Sequence, residues 1–132
     1  MSSRRRRLTI QEEKTEGAGE EGVEGGAAAP RVRVADVSPI TEAMSSALGR
    51  AVSALELLAP VLDRIGARVA VEVAEGGSYV SYGEAAGLDL ASFDRGRAEG
   101  GLEAAAASLA GRGGFSEAIV VKGHADALVI LR

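Results

Sequence analysis

Cysteine is absent from this sequence, and with it go disulfide frameworks, zinc-thiolate sites and thiol nucleophiles, a composition that suits a reducing compartment. Tryptophan is absent too, and two Tyr and two Phe make up the whole aromatic complement of 3%. Ala, Val and Leu must therefore build the core, and without bulky rings between them the elements must approach closely. With a single histidine, His124, a general base or a metal site has one imidazole to rest on. No apolar run approaches the roughly 18 residues that a membrane span requires, because the most apolar stretch, 52–62, carries Glu56 and Pro60. The start, Met1-Ser2-Ser3-Arg4-Arg5-Arg6-Arg7, has the positive flank of a secretory signal, but Leu8-Thr9-Ile10-Gln11-Glu12-Glu13 stands where its apolar segment should follow. A cytoplasmic protein is expected.

The 132 residues suffice for one domain, since domains run to roughly 100–150 residues. Residues 1–33 hold almost no large apolar side chains beyond Leu8, Ile10, Val23 and Val32 and are dense in Glu and Gly. Such a segment cannot bury enough surface to offset its ordering entropy, so it reads as a disordered arm preceding a folded domain at 34–132. The arm carries seven basic and six acidic residues, which leaves the domain at −5 within a chain of net charge −4.

The first helix is expected from Ser38, a capping residue followed by Pro39 in the first turn. Met44, Leu48, Val52, Leu55, Ala59 and Leu62 recur at spacings of four and three, the period of one helix face, until Pro60 kinks or ends it. The period then falls to two. Val69, Val71 and Val73 alternate with Ala70, Glu72 and Ala74; Gly76-Gly77 marks a hairpin, and Tyr79 to Tyr82 form the return strand. Asp89 is placed to cap a second helix, with Leu90, Phe93, Ala98, Leu102, Ala105 and Leu109 along one side. Gly96, Gly100 and Gly101 each weaken that helix by about 1 kcal/mol relative to Ala, so close packing against another element must hold it. After Gly111-Arg112-Gly113-Gly114, Ile119-Val120-Val121 and Leu128 to Leu131 flank Gly123-His124-Ala125-Asp126 as a second hairpin. The order is helix, strand, strand, helix, strand, strand. Leu55, Leu62, Val71, Leu102, Leu109, Ile119, Val121 and Ile130 are expected in the core.

This pattern resembles the Roadblock/dynein light chain family, in particular the bacterial and archaeal members that accompany small Ras-like GTPases. The resemblance covers residues 39–132 and is carried by Val69-Ala70-Val71-Glu72-Val73-Ala74-Glu75-Gly76-Gly77, by Tyr82-Gly83-Glu84-Ala85-Ala86-Gly87-Leu88-Asp89-Leu90-Ala91-Ser92-Phe93, by the Ala-rich helix to Leu109, and by Phe115-Ser116-Glu117-Ala118-Ile119-Val120-Val121-Lys122-Gly123. It implies an α/β (α+β) profilin-like layered sandwich, an antiparallel sheet with helices on both faces. It implies also a non-catalytic scaffold or regulator of a small GTPase, dimerising through the second helix and an edge strand. Family members usually add a further strand and often a helix after the point where this sequence ends, so the match is to a C-terminally shortened member. That shortening leaves a strand edge in need of a partner or protecting charges. On this reading Ala98, Gly101, Leu102 and Ala105 form the interface, the partners are a second copy and a small GTPase or related Roadblock-like chain, and no cofactor is required.

No other motif carries chemistry. His124 lies in a turn beside Asp126, where both residue types are common for their polarity and turn tolerance, so no catalytic residue is assigned. Glu72, Glu75, Glu84, Asp89 and Asp94 fall at hairpin, loop and cap positions, and no metal site is assigned either. Gly111-Arg112-Gly113-Gly114-Phe115 lacks the Lys-Ser/Thr ending of a phosphate-binding loop and precedes a strand instead of a helix. Arg4, Arg5, Arg6 and Arg7 could hold phosphate anions, which makes a nucleic-acid-associated protein the alternative function. The acidic run that follows and the scarcity of stacking aromatics favour a solubilising tail.

Overall fold

The computed structural model describes residues 29–85 and 87–132. Strand β1 (Arg31–Asp36) leads into helix α1 (Ser38–Leu48) and the short helix α2 (Ala54–Leu58), which runs on as a 3-10 turn, Ala59–Val61. A hairpin of β2 (Val69–Ala74) and β3 (Gly77–Gly83) follows, then helices α3 (Leu90–Gly100) and α4 (Leu102–Gly113), then a hairpin of β4 (Glu117–Lys122) and β5 (Ala127–Leu131).

Both hairpins join one five-stranded sheet of order β1-β4-β5-β2-β3. The antiparallel pairing of β2 with β5, Val71 opposite Val129, unites them. Alternation along each strand then builds two cores. Val69, Val71, Val73, Val120, Val129 and Leu131 face α3 and α4, where Phe93, Ala106, Leu109 and Ala110 meet them. Ala70, Val121, Leu128 and Ile130 point the other way, onto Ala54 and Leu62 beside α2. All five residues of β5 are buried. Full burial of each Val, Leu or Ile contributes about 1.5–3 kcal/mol, so β5 is the strand the sheet can least lose.

The mixed α/β class with helices on both faces is as expected; four details differ. The sheet is not wholly antiparallel, because β1 runs parallel to β4, Arg31 opposite Glu117 through Asp36 opposite Lys122. Residues 31–33, assigned to the arm, are thus the first half of a strand; the remainder of the arm as far as 28 lies outside the described residues. Alternation of Arg31, Val32, Arg33 and Val34 was the missed sign of it. The expected first helix is two, parted by Gly49 in the left-handed region at φ 70°, and its N-cap is Val37, with no side-chain cap bond; just before it, Asp36 Oδ1 accepts from both the Ser38 N–H and Oγ. The expected second helix is also two, parted by Gly101 at φ 97°. Finally, the shortened C-terminus, expected to leave a strand edge, leaves β5 interior and paired on both sides, with β1 and β3 at the sheet's edges. Of the expected core, Leu62, Val71, Leu109, Val121 and Ile130 are buried, while Leu55, Leu102 and Ile119 are half-buried at its margins.

Candidate functional site: a groove between two helices

The α3–α4 pair is shaped by its glycines and caps. Asp89 caps α3 as expected, accepting from the Ser92 N–H at 3.1 Å and the Ser92 Oγ at 2.7 Å, and these bonds hold its carboxyl below the ordinary carboxylate range. Gly101 then turns the chain so that α4 folds back on α3. Between the helices Gly96 faces Ala105, so closely that a Cβ on Gly96 would stand 3.6 Å from that of Ala105. The close packing that the glycine content demanded is therefore found within the chain.

Along this seam runs an open groove of about 280 Å³. Phe93, Gly96 and Ala105 form its floor; Ser92 and Ser108 line it, and Glu99 and Arg112 stand at its rim. Arg112 is steadied by its Nη2 donating to Ser108 Oγ at 3.1 Å. The groove thus sets one carboxylate, one guanidinium and two hydroxyls around a floor of Phe93, Gly96 and Ala105.

The four interface residues expected from sequence are placed unevenly. Ala98 and Gly101 are exposed, Leu102 is half-buried against the α3–α4 core, and Ala105 is buried with 4% exposure. They do not form one open patch, and Ala105 alone belongs to the groove. The members that periodicity missed, Ser92, Gly96 and Ser108, recur at helical spacing on the two helices; the break at Gly101, which brings those faces together, was the signal overlooked.

Other chemistry-bearing residues join chain segments. Asp94 receives the Ser78 Oγ at 2.6 Å, the Ser78 N–H at 3.1 Å and the Arg97 Nε at 3.0 Å, while Arg97 Nη2 donates to the Ala74 carbonyl at 3.1 Å. Partial burial alone would raise the Asp94 carboxyl, but the Ser78 bonds and the Arg97 charge outweigh it and hold the group below its ordinary value. Together these contacts lock the first hairpin to α3. Glu72 accepts from the Tyr79 hydroxyl at 2.8 Å, which raises that phenol. Asp126 accepts from the Ala54 N–H, and His124 bonds to Thr41. His124, Asp126, Glu75 and Arg97 border a shallow cavity of about 460 Å³. Among the described residues no group of three or more His, Asp or Glu is arranged to hold a metal ion, and no helix is long and apolar enough to cross a membrane. Gly111 to Phe115 form a helix end and a turn into β4, with Gly114 at φ 77°. Arg4 to Arg7 lie outside the described residues. Comparison of the chain with known protein families, characterised proteins and solved structures finds no match.

Proposed function

We propose that this protein is a non-catalytic protein-interaction module of Roadblock type, a dimeric scaffold or regulator whose α3–α4 groove receives a small Ras-like GTPase or a related chain. The observation that carries the reading is the groove, a concave seam with a floor of small residues and Phe93 and a balanced rim of Glu99 and Arg112. Two hairpins sharing one sheet, with helices on opposite faces, agree with the resemblance in sequence. The parallel β1 stands where the antiparallel pattern has no counterpart, so the resemblance supports the β2–β5 body more than the sheet's outer edge.

Filling the groove tests it. Ala104 is exposed at its wall, so Ala104→Trp should occupy the groove without disturbing the core. The wild-type chain is expected to retain a small GTPase of its own cell in one nucleotide state, and the variant to lose it. Retention of none in either the GDP or the GTP-analogue state, or equal retention by the variant, would overturn the assignment.

A further inference from the structure

Four exposed arginines, Arg31, Arg33, Arg68 and Arg132, gather at the end of the sheet where β1, β4 and β2 begin and β5 ends. The Arg31 N–H donates to the Ser116 carbonyl at 3.0 Å and the Ser116 N–H to the Arg132 carbonyl at 2.9 Å, so Arg31 and Arg132 flank one residue. Arg33 Nε and Arg132 Nε grip the two carboxylate oxygens of Glu117 at 2.7 and 3.1 Å. The Arg68 guanidinium lies over the ring of Phe115, 4.6 Å from its centroid. Arg31 and Arg68 form no ion pair among the described residues. Four cations thus share the Glu117 carboxylate, only 13% exposed and claimed at both oxygens, and the carboxyl group of Arg132, which the Ser116 and Glu117 N–H groups already hold. Two further acids, Asp63 and Glu84, stand on the β3 side of Arg68, Asp63 taking the Tyr82 hydroxyl at 3.1 Å. At the strands' other end acids and bases are mixed, with Asp36, Glu75 and Asp126 beside Lys122 and Arg97. Positive charge in excess is therefore found at the first end, where it favours an anion.

We propose that the acidic stretch of the chain's own arm, residues 12–24, docks on this arginine cluster and gates it against other polyanions. The stretch holds six glutamates against the single cation Lys14, so its charge is opposite to that of the cluster. It is also tethered there. The chain enters the fold at this place, where Pro30 lies against Gly111 and Arg31 opens β1. Six residues, Gly25 to Pro30, separate Glu24 from Arg31; such a link reaches at most about 25 Å and spans about 15 Å as a coil. From β1 to β5 the cluster is two strand spacings wide, about 10 Å, well within that reach. So short a tether gives the stretch an effective concentration in the millimolar range, which an anion free in solution must exceed. Each exposed ion pair is weak, so the cover is reversible and yields to a polyanion that offers more charge. Arg4 to Arg7, of the same sign as the cluster, are left outside the contact. The α3–α4 groove plays no part in it.

Because the chain has no cysteine, Ala18→Cys carries a nitroxide label within the stretch and leaves its charge unchanged. In the full chain at about 20 mM NaCl, paramagnetic broadening of the Arg31, Ser116 and Arg132 amides is expected to exceed by at least about twofold that in about 1 M NaCl, where the screening length falls to about 3 Å. The same loss of broadening is expected at low salt when the six glutamates are replaced by glutamine, and again in Arg31→Gln/Arg68→Gln, whose two positions are exposed and outside the Glu117 pairs. Broadening that ignores salt and both sets of substitutions would reflect the tether alone and overturn the proposal. Shifts of the three amides on adding an oligothymidylate to the wild-type chain, with no salt-dependent broadening from the label, would assign the surface to nucleic acid and overturn it equally.

Discussion

Thr41 Oγ1 lies 3.1 Å from both the backbone nitrogen and the Nδ1 of His124, 83 positions further along the chain. Thr41 is the one fully buried polar side chain among the described residues, and its hydroxyl also reaches the Ser38 carbonyl at 3.2 Å. Through this oxygen the start of α1 is tied to the turn between β4 and β5. Thr41→Val keeps the shape and removes the acceptor, so the N–H of the exposed His124 loses its partner in α1. A loss of about 0.5–1.5 kcal/mol is expected, read from urea midpoints, with Thr41→Ser retaining most of the stability. Amide exchange in α1 should accelerate in the Val variant; equal protection in both would place the anchor of α1 elsewhere.

Acid should loosen the attachment of the first hairpin. Asp94 and Asp36 both titrate below their ordinary value of 3.8 in the fold, Asp36 through its bonds from Ser38. Groups with lowered folded values contribute stability that is fully present above the unfolded value and is lost as pH falls through the folded one, so the effect belongs below about pH 4. Asp94→Asn should cost about 1 kcal/mol at neutral pH, a modest figure because the Asp94–Arg97 pair is partly solvated. At about pH 3 the gap from wild type should narrow. A deficit that is the same at both pH values would show that the carboxylate charge is not what matters.

The two faces of the sheet can be probed separately. Phe93 and Leu62 are each 1% exposed, on opposite faces. Phe93→Ala is expected to cost about 3–5 kcal/mol and Leu62→Ala about 2–5 kcal/mol, whereas Ile40→Ala, on the outward face of α1, should stay within about 0.5 kcal/mol. Similar costs at all three positions would mean that α1 is packed more deeply than its exposure indicates.

Two glycines of the first hairpin should respond in opposite ways to alanine. Gly83 has φ 83° and lies with its Cα against the Arg68 carbonyl, where a Cβ would collide with backbone. Gly76 in the turn has no positive φ and open space around it. Gly83→Ala should therefore destabilise by several times the roughly 1 kcal/mol of an ordinary Gly/Ala difference, and Gly76→Ala should be neutral or stabilise by up to about 1 kcal/mol. Thermal melts of the two variants compare them directly.

What sequence alone made legible were the period-two strands and the second cap, because Val69 to Val73 and Asp89 declare themselves within a few residues. Boundaries that depend on tertiary context were hidden. The spacing from Met44 to Leu62 fits one helix, yet Gly49 ends it and Ser53 starts another, its Oγ accepting from the Glu56 N–H at 3.0 Å; the Ser53-x-x-Glu56 pattern was the local clue. Ile40 and Leu48 were unreadable as surface for the same reason: periodicity finds an apolar face and does not say what covers it. In the groove, Ala105 was found through its helical phase, but Ser92 and Ser108 belong to it only because Gly101 folds two helices together, and no pattern within either helix encodes that.

The parallel pairing of β1 with β4 has a consequence for the order of assembly. β1 is the first of the described strands to leave the ribosome, yet its sole neighbour begins at Glu117, after both helical layers and the first hairpin have been made. Until β4 is synthesised, β1 can only wait unpaired, held at its other end by α1. Closing so long a loop is slow relative to forming the two local hairpins, so β1 should be the last strand to dock and the first to peel away. Its alternate arginines keep that waiting strand from pairing with another chain.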